Sequence, residues 1–420
     1  MNMNQRPIII ARGGGGGSSS GGGGGGGGGS HSSSSSSSYS SSSSSSGSGS
    51  SSPADAWFGI IFMLIFFGVW ALVIVLIIRA ARKGVGGGIP AGYIDPSKSG
   101  TDEEKKLAKQ VNDTFFGFQK GWSEFDAKAM QQLCSTEYSK RMILELGVLR
   151  NYKRRDQMDD CQLTAVYLKK ADDYSKGFEV QIRASATDKL IDEAEKKTLF
   201  TDNSPWVEYW QFVCEGGSYK LDLIRQDTED ASKYDAGIAE FAAKQGFYYD
   251  PDFGWLMMPT RGAIFGPAGF GNADINNHVI GSVGSANRQK IVEFYSYEPK
   301  AGAGMSPITV AQAILPKKYD DILVTEKSWY DFKPKLKGLE KVETESVDFN
   351  KKFSVWAAQP DRATSFELLA TNFMERIYKL DFEVNIEVVD NVLYLYSPDN
   401  KLNYDEMLEV LSWAFDEMKL

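Results

Sequence analysis

Residues 206–224 read WVEYWQFVCEGGSYKLDLI, with bulky apolar and polar side chains alternating on either side of Gly216-Gly217. Alternation with a period of two marks a strand with one buried face. A Gly-Gly pair accepts the positive φ angles of a two-residue hairpin turn. The stretch is therefore read as two antiparallel strands, Val207–Glu215 and Tyr219–Asp227. Cys161–Lys170 and Phe178–Asp188 show the same texture upstream, with Phe178, Val180 and Ile182 on one face.

The segments before these strands are helical. Leu107, Val111, Phe115, Phe118 and Trp122 recur at spacings of 4, 4, 3 and 4, which places them on one face of a helix. Thr101 or Asp102 can cap it, and Glu103 and Glu104 suit a first turn whose unpaired amides favour carboxylates. A second segment runs from about Asp126 through Met130 and Leu133. A third follows Ser135 as its N-cap, with Tyr138, Met142, Leu146 and Leu149 inward. Helices followed by a run of antiparallel strands make an α+β layout, with the helices packed on one face of a curved sheet.

These residues resemble a known family. Phe115–Tyr138, with Phe118-Gln119, Trp122, Asp126 and Thr136, resembles the opening helices of the Tim-forty-four-like domain. Trp206–Ile224, with Glu208-Tyr209-Trp210-Gln211-Phe212 and Leu221-Asp222-Leu223-Ile224, resembles its closing hairpin. The family includes the matrix-side anchor of the mitochondrial import motor, a mitoribosomal protein and membrane-anchored bacterial proteins. The resemblance covers about residues 103–228 and departs at Tyr219, where many relatives place a Trp. It implies the cone of the nuclear-transport-factor-two-like superfamily, three helices wrapped against a bent sheet. Such cones often hold a hydrophobic pocket, which makes Trp122, Phe125, Tyr138, Trp206, Trp210 and Phe212 candidates for lining one that accepts a lipid or an apolar peptide segment. The alternative for these aromatics is plain core packing.

The second half is read from its own patterns. Asp230–Gln245 forms a helix through Ile238, Phe241 and Ala242, and Gly246 stops it. A Gly- and Pro-rich stretch to Gly284 precedes strands near Ile291–Tyr297 and Ile308–Leu315. Val342–Phe349 and Phe353–Ala357 read as strands, and Ala363–Leu380 as an amphipathic helix. Phe382–Val389 and Val392–Ser397 make a hairpin over Asp390-Asn391, and Tyr404–Met418 closes with a helix. Asn277-His278-Val279-Ile280-Gly281, Asp348-Phe349-Asn350-Lys351-Lys352-Phe353 and Leu393-Tyr394-Leu395-Tyr396 give this half a resemblance to a domain of unknown function found in bacterial membrane proteins. That resemblance implies a second α+β domain and no chemistry.

Near the N-terminus, Trp57–Ile78 is an uncharged apolar run. Its length of about 33 Å matches a hydrocarbon core of about 30 Å, so a single transmembrane helix is expected there. Arg79, Arg82 and Lys83 follow at once, which turns the C-terminal side toward the cytoplasm. With the bacterial bias that the resemblance of the second half implies, the expected location is a bacterial inner membrane, N-terminus outside, or alternatively a mitochondrial inner membrane with the bulk facing the matrix. Residues 13–52 are almost pure Gly and Ser, too poor in apolar groups to order themselves. The expected organisation is a disordered tail (1–53), the span with its basic flank (54–83), a linker (84–101), the Tim-forty-four-like domain (102–228) and the C-terminal domain (229–420).

Charge narrows the partners. Setting the +1 of residues 1–56 and the +3 of residues 79–100 against the chain's −9 leaves −13 for residues 101–420. So acidic a body is a poor ligand for nucleic acid, whose phosphates call for Lys and Arg. The basic cluster Arg150, Lys153, Arg154 and Arg155 closes the third helix, where positive charge suits the helix dipole. With Arg79, Arg82 and Lys83 it supplies the candidates for contact with a membrane surface. Cys134, Cys161 and Cys214 form no CxxC pair, so neither a disulfide framework nor a zinc site is expected.

Catalytic motifs are sparse. Of the two histidines, His31 lies in the Gly/Ser tract, which leaves His278 as the sole imidazole for acid–base or metal work. Gly262, Gly266, Gly269 and Gly271 lack the Gly-Lys-Ser/Thr ending of a phosphate loop. A calcium loop starting at Asp250 would need Gly and Glu where Trp255 and Arg261 stand. No catalytic residue, metal or cofactor is expected. The leading expectation is a single-pass, non-enzymatic binding or scaffold protein that presents the Tim-forty-four-like domain to a lipid, an apolar ligand or a membrane-protein partner. One alternative is an enzyme using His278 or a buried carboxylate; another is an envelope structural protein acting through its Gly/Ser tract.

Overall fold

Thr101 starts the first long helix by an exchange with Glu104: its hydroxyl accepts from the Glu104 amide at 3.2 Å, and its own amide donates to the Glu104 carboxylate at 2.7 Å. The computed structural model describes residues 88–265, 271–284, 289–300, 306–327, 338–358, 369–398 and 403–420. In it β1 (Tyr93–Ile94) and one turn, α1 (Pro96–Ser99), lead to α2 (Asp102–Ser123), α3 (Ala127–Leu133) and α4 (Thr136–Asn151). Asp126 caps α3 and Ser135 caps α4. The apolar stripe of α2, from Leu107 to Trp122, is buried.

Five strands complete the first sheet: β2 (Arg154–Lys169), β3 (Gly177–Asp192), β4 (Lys197–Asp202), β5 (Trp206–Glu215) and β6 (Ser218–Gln226). The order is β1-β2-β3-β5-β6, with β4 paired to β3. Gly216 and Gly217, at φ 61° and 78°, make the turn between β5 and β6. The third helix stops at Asn151, and Lys153 (φ 53°) turns the chain. Arg154 and Arg155 therefore belong to a strand rather than to a helix end.

Asp235 caps α5 (Ala236–Gln245) by accepting from the Gly237 and Ile238 amides, so this helix begins six residues later than expected, and Gly246 (φ 69°) closes it. The second sheet comprises β7 (Tyr248–Gly254), β8 (Ala273–Val283), β9 (Lys290–Pro299), β10 (Ile308–Ile314), β11 (Ile322–Glu326), β12 (Glu340–Val342), β13 (Phe353–Ala357), β14 (Asn385–Val389) and β15 (Val392–Ser397). Its order is β12-β13-β11-β14-β15-β10-β9-β8-β7. Among the described residues three helices accompany it: α6 (Val347–Lys352), α7 (Thr371–Tyr378) and α8 (Tyr404–Glu417). Of the strand expected over Val342–Phe349 only Val342 is in a strand, and the last three residues begin α6, because the Ser346 hydroxyl accepts from the Phe349 amide and starts a helical turn.

The second sheet is buried on both faces. One face joins α2–α4 and the first sheet in a common core that includes Phe118, Trp210, Trp255, Met257, Tyr295 and Tyr394. The other face packs Val292, Phe294 and Leu395 against Phe241 of α5, Ile377 of α7 and Met407 of α8. Residues from Ile89 onward accordingly form one compact unit.

The expected fold, a single transmembrane helix followed by a nuclear-transport-factor-two-like cone and a second α+β domain, is corrected on two points. The described residues are sheet-rich, built on two antiparallel sheets. Among them no helix is long and apolar enough to cross a membrane. The longest, α2, carries charge at both ends and in between, from Asp102 and Lys106 through Asp113 to Lys120. The expectations of a single-pass protein, and of an inner-membrane location in a bacterium or a mitochondrion, are corrected by the same finding. The run Trp57–Ile78 and the Gly/Ser tract lie outside the described residues.

Helix α4 touches β9 of the second sheet through Gly147, where an added Cβ would fall 2.6 Å from the Ile291 Cδ1 methyl. That methyl can shift for an alanine, and Gly→Ala favours a helix, so Gly147→Ala should change the urea midpoint little. Gly147→Leu overpacks the seam and should cost about 1–3 kcal/mol in urea unfolding. Equal midpoints for the two variants would show that α4 does not press on β9.

Candidate functional site

The aromatics expected to line a cone pocket mostly pack against one another. Trp122, Tyr138, Trp210 and Phe212 are at most 2% exposed. Trp210 meets Phe115 and Phe118 at ring-centre distances of 5.7 and 5.8 Å, and Phe212 stacks on Phe178 at 4.7 Å. Rings at these separations fill the interior as core. Phe125 and Trp206 are half-buried. The guanidinium groups of Arg150 and Arg155 lie 5.4 and 5.8 Å from the Phe125 ring.

The basic cluster does not form one outward patch. Arg150 and Lys153 are exposed, and Arg155 pairs with Glu193 at 2.6 Å. Arg154, only 1% exposed, points inward because successive strand residues face opposite ways. Its guanidinium donates to the Met258 carbonyl and, at 2.9 Å, to the Thr260 hydroxyl. Burial lowers its pKa. A membrane contact through Arg154 is thus corrected; Arg79, Arg82 and Lys83 lie outside the described residues.

Arg154 instead lines a cleft of about 550 Å³. Its walls come from the α4–β2 junction, the β3–β4 turn, residues 259–261, Lys318 and the β14–β15 turn. Lys153, Arg154, Lys197, Arg261 and Lys318 outnumber Asp192, Glu195 and Asp390 there. Arg261 and Lys318 both engage Asp390, the latter at 2.9 Å. Burial works against the Asp390 carboxylate, but these cations hold its pKa below the usual range. Across the cleft, Asn391 donates to the Asn151 side-chain oxygen at 2.5 Å. A second cleft, about 570 Å³, lies between α2 and β2 beside Phe116, Lys120 and Arg155. It includes Cys161, whose thiol pKa is raised by burial, away from reactivity.

A polar row runs beneath the first cleft. Strand register places Glu293 opposite Gln312, Gln312 opposite Tyr394, and Tyr394 opposite Glu387, across β9, β10, β15 and β14. All four are buried. The Gln312 amide nitrogen donates to the Tyr152 hydroxyl and to Glu293 Oε2, while its oxygen accepts from Tyr295 at 2.8 Å. Glu293 Oε1 lies 2.9 Å from Nε2 of His278, whose ring stacks on Phe253 at 4.0 Å. His278 is 0% exposed and lines neither cleft. On α4, Arg141 pairs with Glu145 at 2.6 Å and with Asp250 of β7 at 3.2 Å, all three buried. Burial raises the pKa of Glu145 and Asp250, with Arg141 opposing it. Burial also works against the Arg141 charge, but the two acids hold its pKa above normal.

Sequence reasoning missed Arg141, Glu145, Glu293, Gln312 and Tyr152. An i,i+4 Arg–Glu pair beside an apolar stripe was a signal, but it ordinarily marks a solvated face. Asp250 sits in β7 with Arg141 as its partner, not in a calcium loop. Among the described residues no group of three or more His, Cys, Asp or Glu is placed to hold a metal.

Comparison with known proteins adds little chemistry. Residues 310–413 match the sequence profile of a family of proteins of unknown function, DUF3137. No curated protein matches the chain. The crystal structure of the mycobacterial trehalose monomycolate transport factor A, TtfA, is similar at 13% identity and a TM-score of 0.33, over 43% of this chain and 89% of that one. Nothing in these matches bears on the Tim-forty-four-like resemblance.

Burial drives the pKa of Glu208 and of Glu387 up from 4.5 to about 7, and that of the partly buried Glu229 to about 8. A raised acid binds its proton more tightly when folded. Its contribution to stability is complete below the unfolded value near 4.5 and is lost as pH rises through about 7. The lowered acids, such as Asp390 and Asp159, act in the opposite sense only below their unfolded value of 3.8. The melting temperature should therefore fall by several degrees between about pH 5.5 and pH 9, and Glu208→Gln should flatten that slope. A melting temperature that rises with pH would contradict the assignment.

Proposed function

We propose that this chain is a non-enzymatic binding protein, and that the cleft beside Arg154 receives an anionic group of its ligand. The excess of cations there, in a chain of net charge −9, is the observation that carries the reading. Lys153, Lys197, Arg261 and Lys318 are exposed at its rim, and Arg154 forms part of its wall. Arg forks and Lys ammonium groups suit phosphate or carboxylate oxygens. The placement of His278 away from both clefts also favours binding over acid–base chemistry.

A free phosphate ester and a lipid headgroup share this chemistry, so the test uses both. Inorganic phosphate is titrated into the full chain by calorimetry, and vesicles of phosphatidylglycerol or phosphatidylcholine are sedimented with it. Saturable binding of phosphate or of the anionic vesicles is expected, weakened about tenfold or more by Lys197→Glu with Lys318→Glu, a loss of about 1.4 kcal/mol. Phosphate alone would point to a soluble ligand, anionic vesicles alone to a lipid. No binding to either, or binding indifferent to the two reversals, would overturn the reading.

A further inference from the structure

The cleft beside Arg154 carries an anion of its own. Asp390 stands at the two-residue turn between β14 and β15, where Val389 pairs with Val392, and it lines the cleft. Its carboxylate is gripped at both oxygens: Lys318 Nζ lies 2.9 Å from Oδ1, and Arg261 holds Oδ2. Against its partial burial, these two cations keep it charged. The other charged groups of the cleft are placed differently. Arg154 is committed to Met258 and Thr260, and Asp192 accepts from the Ala194 and Glu195 amides of its own turn at 2.9 Å. Lys153 and Lys197 have no ion pair among the described residues. The exposed cations thus fall into two sets, Arg261 and Lys318 satisfied by Asp390, Lys153 and Lys197 open.

The turn does not depend on that carboxylate for its shape. The Asp390 carbonyl accepts from the Tyr319 amide at 2.8 Å, and the Asn391 carbonyl accepts from the Leu315 amide at 2.8 Å. The Asp390 amide donates to the Asp321 carboxylate at 3.0 Å. All three bonds use the backbone of the turn. Ion pairs between side chains open to water add little to stability. At φ 58° the residue is left-handed, a conformation that Asn and Gly adopt at least as readily as Asp. The charge of Asp390 is therefore what needs a reason.

We propose that Asp390 is a resident counter-anion that makes this cleft select a doubly charged phosphoryl group over a carboxylate. This selectivity rests on the anion-binding reading above and adds the class of anion. A carboxylate arriving from solution offers Arg261 and Lys318 only what Asp390 already supplies. The tethered group wins such an exchange, because the turn sets its effective concentration, on the order of millimolar or above. A phosphoryl group brings a third oxygen and close to twice the charge. Its oxygens can divide between the open ammonium groups of Lys153 and Lys197 and the N–H donors that Arg261 and Lys318 have not spent on Asp390. Like-charge repulsion from Asp390 acts on every entering anion, and only one that gains several cations at once overcomes it.

The test is calorimetry on the full chain with inorganic phosphate and with acetate, at constant ionic strength and about pH 8, where phosphate carries close to two charges. The unaltered chain should bind phosphate about tenfold or more tighter than acetate. Asp390→Asn keeps the shape of the side chain and suits the turn. It should tighten acetate binding about tenfold and phosphate binding by less, so that the ratio of the two affinities falls. Asp390→Gly also suits the turn, should lower the ratio in the same way, and covers a failure of the first variant to fold. An unchanged ratio in a variant that melts like the unaltered chain, or equal binding of the two anions by the unaltered chain, would overturn the selectivity and leave the anion site standing. Binding of neither anion by any of the three proteins would overturn both. Binding by the variants alone would show that Asp390 closes the cleft to phosphate as well, which also overturns both.

Discussion

Arg141 carries the constraint on which the two sheets depend. Its guanidinium is buried, and its ion partners are Glu145 one turn along α4 and Asp250 on β7. A pair of this kind adds little net stability over an apolar substitute, since desolvation offsets most of the Coulomb attraction. Breaking it is another matter. Removing one partner leaves a charge in a dry interior, at a cost of roughly 3–5 kcal/mol. The pairing therefore specifies where β7 must lie, and with it the face of the second sheet that meets α4.

From that contact the polar row follows. A sheet face buried against a second sheet and a helix would ordinarily be apolar throughout. Here Glu293, Gln312, Tyr394 and Glu387 lie side by side across four strands, Gln312 bonded to Glu293, Glu387 to Ala263 and Tyr396, and Tyr394 to Tyr152. Glu387 accepts from the Ala263 amide at 2.8 Å and from Tyr396 at 2.7 Å. The row fixes register, because a slip of one residue would turn these groups toward the apolar layer under α8.

What the sequence made legible was local. The hairpin at Gly216-Gly217, the caps at Thr101 and Ser135 and the stop at Gly246 all depend on neighbours a few residues apart. β4 escaped because Lys197–Asp202 is short and has no buried residue, with little alternation to show. The start of β2 escaped because Arg154–Asp160 reads as a solvated charged run, although Arg154 and Asp156 are buried. The cleft was illegible for a different reason. Its walls bring together residues near 152, 195, 260, 318 and 390, and no window of sequence contains that neighbourhood. The aromatics of the first half were identified as a group, but periodicity marks an inward face without saying whether a void lies behind it. Packing filled it.

The distance along the chain between Arg141 and its partner on β7 has a consequence in time. Asp250 lies 109 residues downstream. At a synthesis rate of roughly 5–20 residues per second, α4 emerges about 5–20 s before that carboxylate exists. During that interval Arg141 and Glu145 remain hydrated on what will become an inner surface, and the apolar side chains around them have no second sheet to meet. A charged pair on that surface keeps the half-made chain from offering a continuous sticky face to its neighbours. The groups that later lie paired in the interior first act as the solubilising rim of an unfinished protein.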